Sequence, residues 1–409
     1  MKKDIKEIRD TAINAAVIFM SIVLVCIGIK LSIDIGKLLE LNREYGMNKK
    51  LAVGDSEYVV DTLTEIQGLF ETSGLKKDIN YDEAAENAIA FYVYSTGDKY
   101  AHYESPTIAL ERDKTDNGDG SGFGVSVAWH DGIGLYIYNV FKNSSADKAG
   151  LQNGDYIIAS DDKEFKDMEY VDAIKSLKSE NGETKKLTIL RGDEIFDAEL
   201  ESKPYILTPV KSKVIDDKAY IKVEQFTNVC YQDFVDTMND FKNQGFEDYI
   251  IDLRNNPGGH LETVVNMLDY MIGEGTIVSI ENKNGEVTQS FTSDSKEFNG
   301  NIVVLINENT ASASELFSKT LQEYNKAKVV GVKSYGKGTV VSSYTLSNGG
   351  NVTISTGLYR TSTGDCIEEI GVNPDYKVEL TEEKLKYFYE LTIEEDDQLQ
   401  KGIEVLNSL

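Results

Sequence analysis

Beyond Pro204 the chain alternates short apolar runs with stretches whose apolar positions recur at helical spacing, and no other feature restricts the fold as much. The runs at 219–223, 249–253 and 302–306 are strand-length, and helical patterns follow across 231–243, 260–272 and from about 313. An apolar strand and an amphipathic helix each need a partner surface, so their alternation argues for an α/β core. The stretch before it reads differently. Between 122 and 203, apolar strands at 135–138, 155–158 and 187–190 surround one helix at 168–178, which makes a small β-rich module. The Asp116-Asn117-Gly118-Asp119-Gly120-Ser121-Gly122 cluster in front of it marks a domain boundary. Further upstream, helical spacing within 53–95 predicts two helices packed on something larger. With 409 residues there is room for two or three units, each large enough to bury its own core.

One segment is too apolar for a water-facing surface: residues 12–29, AINAAVIFMSIVLVCIGI, have only Asn14 and Ser21 as polar interruptions. At about 1.5 Å per residue a helix there reaches roughly 27 Å, enough for the hydrocarbon core of a bilayer. A cleaved signal peptide would carry a shorter apolar stretch and a small-residue cleavage site, which Lys30-Leu31-Ser32-Ile33-Asp34 matches poorly. Lys2, Lys3, Lys6 and Arg9 before the span outnumber Lys30 and Lys37 after it, which keeps the N-terminus cytoplasmic and the bulk of the chain outside. The expected order is a cytoplasmic tail at 1–11, one N-terminal transmembrane helix at 12–33, a stalk at 34–52 and a helical part at 53–118. The β-rich module at 119–203 and an α/β core with C-terminal helices at 204–409 complete it. A formal net charge of −27 repels phosphate backbones, so no nucleic-acid partner is expected. Cys26, Cys230, Cys366 and the three histidines His102, His130 and His260 show no ligand spacing, so neither a disulfide framework nor a metal site is readable.

Four motifs carry chemistry. In the β-rich module, Gly122-Phe123-Gly124-Val125 would present backbone N–H groups to a carboxylate beside a strand edge to which a peptide could add, or would simply turn a hairpin. Farther on, Ser144-Ser145-Ala146-Asp147-Lys148-Ala149-Gly150-Leu151-Gln152-Asn153-Gly154-Asp155 closely resembles the PDZ domain of bacterial proteases. The third motif, Asn307-Glu308-Asn309-Thr310-Ala311-Ser312-Ala313-Ser314-Glu315, follows an apolar strand and opens a helix. A serine there can be an exposed nucleophile beside oxyanion-binding amides, yet Ser312-x-x-Glu315 is equally a capping box. The fourth, Ser334-Tyr335-Gly336-Lys337-Gly338-Thr339, is a near miss to a phosphate loop, but Gly338 stands where Ser or Thr is needed and a strand follows instead of a helix. Lys337 is then either a solvated turn lysine or one buried enough to act as a neutral base. The turn Asp252-Leu253-Arg254-Asn255-Asn256-Pro257-Gly258-Gly259 adds glycine amides free of side-chain obstruction. Asp252 and His260 also leave a Ser312/His260/Asp252 triad conceivable.

In this order, with Asp98-Lys99-Tyr100-Ala101-His102-Tyr103 upstream and Gly371-Val372-Asn373-Pro374-Asp375 downstream, the motifs resemble the carboxyl-terminal processing peptidases, or tail-specific proteases. The resemblance runs from about residue 81 to 409. It implies an α/β protease core with an inserted β-rich PDZ domain. It further implies Ser312 as nucleophile, Lys337 as general base, Glu315 in support, and the amides of Ala313 and of Gly258 or Gly259 as oxyanion donors. The PDZ loop Gly122, Phe123, Gly124 and Val125 would hold the free C-terminus of a protein or peptide substrate. No cofactor enters that chemistry, and a homo-oligomer stays an open option. Holding a lysine of ordinary pKa near 10.4 neutral at pH 7 costs on the order of 4.6 kcal/mol, within what burial supplies. Two departures stand out: Val341 occupies the place where several bacterial members carry a glutamine, and Phe123 replaces a common aliphatic residue. The expected product is a serine peptidase of the cell membrane with its catalytic part outside the cytoplasm. A noncatalytic membrane-tethered PDZ receptor is the alternative.

Overall fold

A computed structural model describes residues 56–409, so the expected anchor at 12–33 and stalk at 34–52 lie outside the described residues. Among the described residues no helix is long and apolar enough to cross a membrane. Leu63, Ile66 and Phe70 are about half exposed on the helix Ser56–Ser73.

The α/β core is a six-stranded sheet. Its spatial order is Val210–Ile215, Lys218–Val223, Asp248–Asp252, Asn301–Ile306, Lys328–Gly331 and Tyr376–Lys377; only the first pair is antiparallel. The central strands are apolar without interruption because both of their faces are covered. Ile251, Val304 and Ile306 meet the helices Cys230–Asn243, Leu261–Met271 and Ala313–Glu323, through Phe234, Met238, Leu268 and Phe317 among others. Alternate residues Ile250, Val303 and Leu305 face the other way, onto Leu399, Ile403, Val405 and Leu406 of the C-terminal helix Asp397–Leu406. Each of those four side chains is worth roughly 1.5–3 kcal/mol of burial, so the terminal helix is a structural layer of the core.

A second sheet, antiparallel, runs His102–Glu104, Asn351–Arg360, Gly275–Glu281 and Val287–Ser293, with Thr339–Thr345 also paired to Asn351–Arg360. It places the segment before the β-rich module on one edge of Asn351–Arg360 and the strand that follows Lys337 on the other. The β-rich module is a sheet of Val125–His130, Gly134–Val140, Tyr156–Ser160, Thr184–Arg191 and Glu194–Glu201, with the helix Tyr170–Leu177 and its own core around Leu135, Ile137, Ile157, Phe165 and Leu187. The chain enters and leaves it through a two-stranded neck, Asp119–Gly122 against Lys203–Ile206.

Near the C-terminus, the short helix Glu382–Lys386 and the turn Phe388–Glu390 lie between module and core. Glu390 accepts from Tyr156 Oη and pairs with His130 Nδ1, both at 2.7 Å. Tyr387 stacks on His130 at 4.3 Å and Tyr389 on Tyr138 at 4.1 Å. On the core side, the Arg254 guanidinium lies 4.8 Å from the Phe388 ring centre.

Candidate active site

Three of the motif loops follow three neighbouring parallel strands, Asp248–Asp252, Asn301–Ile306 and Lys328–Gly331, and so emerge at the same edge of the sheet. Carboxyl ends of adjacent parallel strands are where an open α/β sheet collects its functional loops.

The first loop is pinned by Asn256, which is fully buried and bonded through both its side chain and its backbone. Its Nδ2 donates to Val223 O at 2.9 Å, its Oδ1 accepts from Gly258 N–H at 2.9 Å, and its carbonyl accepts from Ala311 N–H and Ser314 Oγ at 3.0 and 3.1 Å. One asparagine thus ties the glycine turn to the serine turn. Asn255 and Asn307 exchange two further bonds of 2.8 Å, and Thr310 Oγ1 donates to Leu253 O at 2.9 Å. None of these residues had been given a role from sequence; an asparagine before Pro-Gly is a turn signal, but only the fold shows what it reaches. Gly258 has φ +104, and a Cβ on it would stand 2.8 Å from Ala311 O and 2.9 Å from Ala313 N. Only glycine fits there. Its N–H donates to Asn256 Oδ1, whereas Gly259 N–H and Ala313 N–H have no acceptor among the described residues.

Ser312 precedes the helix Ala313–Glu323 with φ 56 and ψ −118, a conformation that costs a non-glycine residue on the order of 1–3 kcal/mol. What holds it is Glu315. This carboxylate is completely buried, and its Oε2 accepts from both Ser312 N–H and Lys337 N–H at 2.8 Å. Its Oε1 takes Gly336 N–H at 2.7 Å and Ser334 Oγ at 2.5 Å. The serine and the lysine are therefore joined at their backbones through a single oxygen atom. Ser334 Oγ also accepts from Val372 N–H at 2.6 Å, which draws in the Gly371-Val372 segment. Beside Ser312, burial pushes the Tyr359 phenol up to about 12, so that group stays neutral at working pH.

Lys337 is partly buried, and desolvation lowers its pKa below the ordinary lysine value while the Glu368 and Glu315 carboxylates pull the other way. The conceivable His260/Asp252 pairing does not exist. His260 Nε2 faces Asp116 Oδ2 at 3.2 Å, which raises the imidazole pKa. Asp252 is buried under Arg254, with Nη2 at 2.7 Å, and accepts from Tyr220 Oη at 2.7 Å. Arg254 continues to Asp396 Oδ1 at 2.8 Å, so Asp252 anchors the C-terminal segment to the glycine turn.

In the module, Gly124 has φ +82 and packs so tightly on Ser144 that a Cβ would fall 2.1 Å from its Cβ. Phe123 is buried in the module core, and its carbonyl accepts from Ala146 N–H at 2.9 Å. The amides of Phe123 and Gly124 have no backbone or side-chain acceptor among the described residues. Strand Val125–His130 and helix Tyr170–Leu177 close at one end in a Trp129–Tyr170 edge contact, with ring centres 6.3 Å apart. Both of those aromatics line a cavity of about 900 Å³ that also reaches Pro257, Ala311 and Lys337.

Residues 121–201 match the PDZ domain family and residues 217–378 match peptidase family S41. The carboxyl-terminal-processing protease of Synechocystis is 31% identical over 71% of this chain and 70% of its own length. The carboxy-terminal processing protease CtpA of Bacillus subtilis is 28% identical over 83% and 73%. Among solved structures, an S41 protease from Bacteroides fragilis shares the fold with a TM-score of 0.59 at 15% identity, covering 82% of this chain and 92% of that one. Similarity of this extent, falling on loops that the sheet itself brings together, means that the chain belongs to peptidase family S41, the carboxyl-terminal processing proteases, and is a serine-type peptidase.

Proposed function

We propose that the chain is a membrane-anchored endopeptidase that cleaves protein or peptide substrates recognised near their C-terminus, with Ser312 as nucleophile and Lys337 as general base. The observation that carries this reading is the buried Glu315 carboxylate, which accepts from the backbone N–H of both residues. Ser312 Oγ attacks the scissile carbonyl carbon while its proton passes to Lys337 Nζ, and the carbonyl oxygen becomes an oxyanion facing Ala313 N–H and Gly259 N–H. Collapse expels the amine, which takes the proton back from Nζ, and leaves an acyl-enzyme. Water then repeats the sequence and frees Ser312. A lowered lysine pKa supports the base role, because a base must be deprotonated at the pH where it works. The anchor rests on the apolar run at 12–29.

Ser312→Ala and Lys337→Ala are each expected to lower turnover of an unfolded protein substrate by about 10³-fold or more. His260→Ala is expected to stay within a few-fold of wild type, and EDTA to have no effect. Full activity in Lys337→Ala together with loss in His260→Ala would reverse the base assignment. The replacement of glutamine by Val341 favours a second reading, a noncatalytic receptor; absence of turnover in wild type, with turnover in Val341→Gln, would establish it. Deleting residues 1–33 should release the protein from carbonate-washed membranes with turnover retained, and retention on the membrane would refute the anchor.

A further inference from the structure

A lysine that serves as a base must present its lone pair to the serine, and its four-carbon stem does not aim itself. Four residues after Lys337 stands Val341, which offers no acceptor. Among the described residues the Lys337 amine has no hydrogen-bond or ion-pair partner. It does have an aromatic ring: the centre of Tyr100 lies 4.8 Å from Nζ, close enough to cover the amine and to receive one N–H of its neutral form on the ring face, and both side chains line the 900 Å³ cavity.

The ring is held in place from two sides. Tyr100 N–H donates to Asp98 Oδ1 at 3.1 Å, and Asp98 in turn accepts from Ser355 Oγ at 2.6 Å, which fixes the segment to the long strand Asn351–Arg360. The phenol donates to Glu368 Oε1 at 3.0 Å. The other oxygen of Glu368 accepts from Gly338 N–H at 2.7 Å and Thr339 Oγ1 at 2.8 Å. One carboxylate thus grips the ring over the amine and the backbone next to the lysine. The fit is close: a Cβ on Gly338 would come within 2.4 Å of Glu368 N.

We propose that Tyr100, clamped by Glu368, is the positioning residue for the Lys337 amine. The inference rests on Lys337 being the base. The charged and titratable groups around the amine come from every neighbouring element: Glu315 of the nucleophile helix, Glu368, Tyr100 with Lys99 behind it, and Tyr335 of its own turn. Across the cavity stand Glu308, Asp131, Lys386, Tyr387 and Glu390.

Two substitutions should move the acid limb of the kcat/KM profile in opposite directions. Tyr100→Ala uncovers the amine to water. Burial is the largest influence on Lys337, so its pKa rises and the limb moves to higher pH. Glu368→Gln keeps the shape but removes a carboxylate that favours the ammonium form, so the limb moves to lower pH. In the full-length protein with one unfolded substrate, Tyr100→Ala should also lower kcat by about 10- to 100-fold with KM little changed. Tyr100→Phe, which keeps the ring, should recover most of kcat and the wild-type limb. An unmoved limb with wild-type kcat in Tyr100→Ala, or Tyr100→Phe as impaired as Tyr100→Ala, would overturn the proposal. So would a limb that fails to move down in Glu368→Gln, a readout that stands even if the alanine variant does not fold. If Lys337→Ala retained full activity, the dyad itself would fall; if only the Tyr100 and Glu368 outcomes fail, the dyad stands and this positioning role falls.

Discussion

Ser312 and Glu315 are one device at the scale of the residue. A serine at φ 56 stores strain that a glycine would not, while the carboxylate three residues on recovers it by taking the serine's N–H. Removing the hydroxyl in two ways separates strain from chemistry. Ser312→Ala keeps a Cβ at positive φ and Ser312→Gly does not, so the glycine variant should be the more stable of two inactive proteins. After allowing for the extra freedom of glycine in the unfolded chain, the difference is about 1 kcal/mol, read from urea midpoints. Equal midpoints, or a more stable alanine variant, would mean that the serine backbone is unstrained. Glu315→Gln turns an NH₂ toward a donor and should cost about 1–3 kcal/mol together with turnover. The sequence showed a capping box and a candidate nucleophile as rival readings of the same four residues. In the fold one carboxylate serves both, because Ser334, Gly336 and Lys337 arrive from a different strand to fill it.

Among the elements, the segment Glu382–Lys386 with Phe388–Glu390 departs most from its sequence, where it reads only as part of the C-terminal helices. It bridges module and core: Glu390 holds His130 and Tyr156, Lys386 pairs with Asp131 at 2.5 Å, and Phe388 lies against Arg254. Glu390→Ala leaves Tyr156 Oη without its acceptor and should weaken docking of the module by about 1–3 kcal/mol. Hydrogen exchange is expected to speed up across Val125–His130 and Tyr156–Ser160, with the strands Asp248–Asp252 and Asn301–Ile306 unchanged. Unchanged exchange in the module would show that the stacked tyrosines hold it alone. The antiparallel pairing of Gly275–Glu281 with Val287–Ser293 was equally invisible. Its polar outer strand, VTQSFTS, has no apolar alternation to read, and its register comes from its neighbours.

For the whole molecule, a peptide whose carboxylate sits at Phe123 and Gly124 and whose backbone pairs along Val125–His130 would leave the groove beside Trp129 and Tyr170. Those two residues line the cavity that contains Lys337, so the end of a substrate and its scissile bond would occupy one continuous path. Amidating the terminal carboxylate removes the charge proposed to bind the loop amides. At roughly 1.5–3 kcal/mol for a charged hydrogen bond, full-length Ser312→Ala protein should bind the amide about 10- to 150-fold more weakly than the acid. Equal affinities in a titration of matched peptides would remove terminal recognition and leave the module as a site for internal segments.

What the sequence determined by itself is local. The apolar runs at 249–253 and 302–306 lie on the strands Asp248–Asp252 and Asn301–Ile306, and the patterns from 260 and 313 fall on helices, because backbone periodicity is written in neighbouring residues. Motif order was likewise enough to indicate the family. Only tertiary structure decided which groups meet. Asp252 lies within ten residues of His260 in sequence, yet it faces Arg254, since a strand points alternate side chains to opposite faces and the buried guanidinium needs that carboxylate. Asn256 on Val223, Glu315 between Ser312 and Lys337, and Tyr100 over an amine far along the chain are contacts between loops from separate strands. No local pattern encodes them, because the order of strands in the sheet, and not distance along the chain, brings those side chains within bonding range.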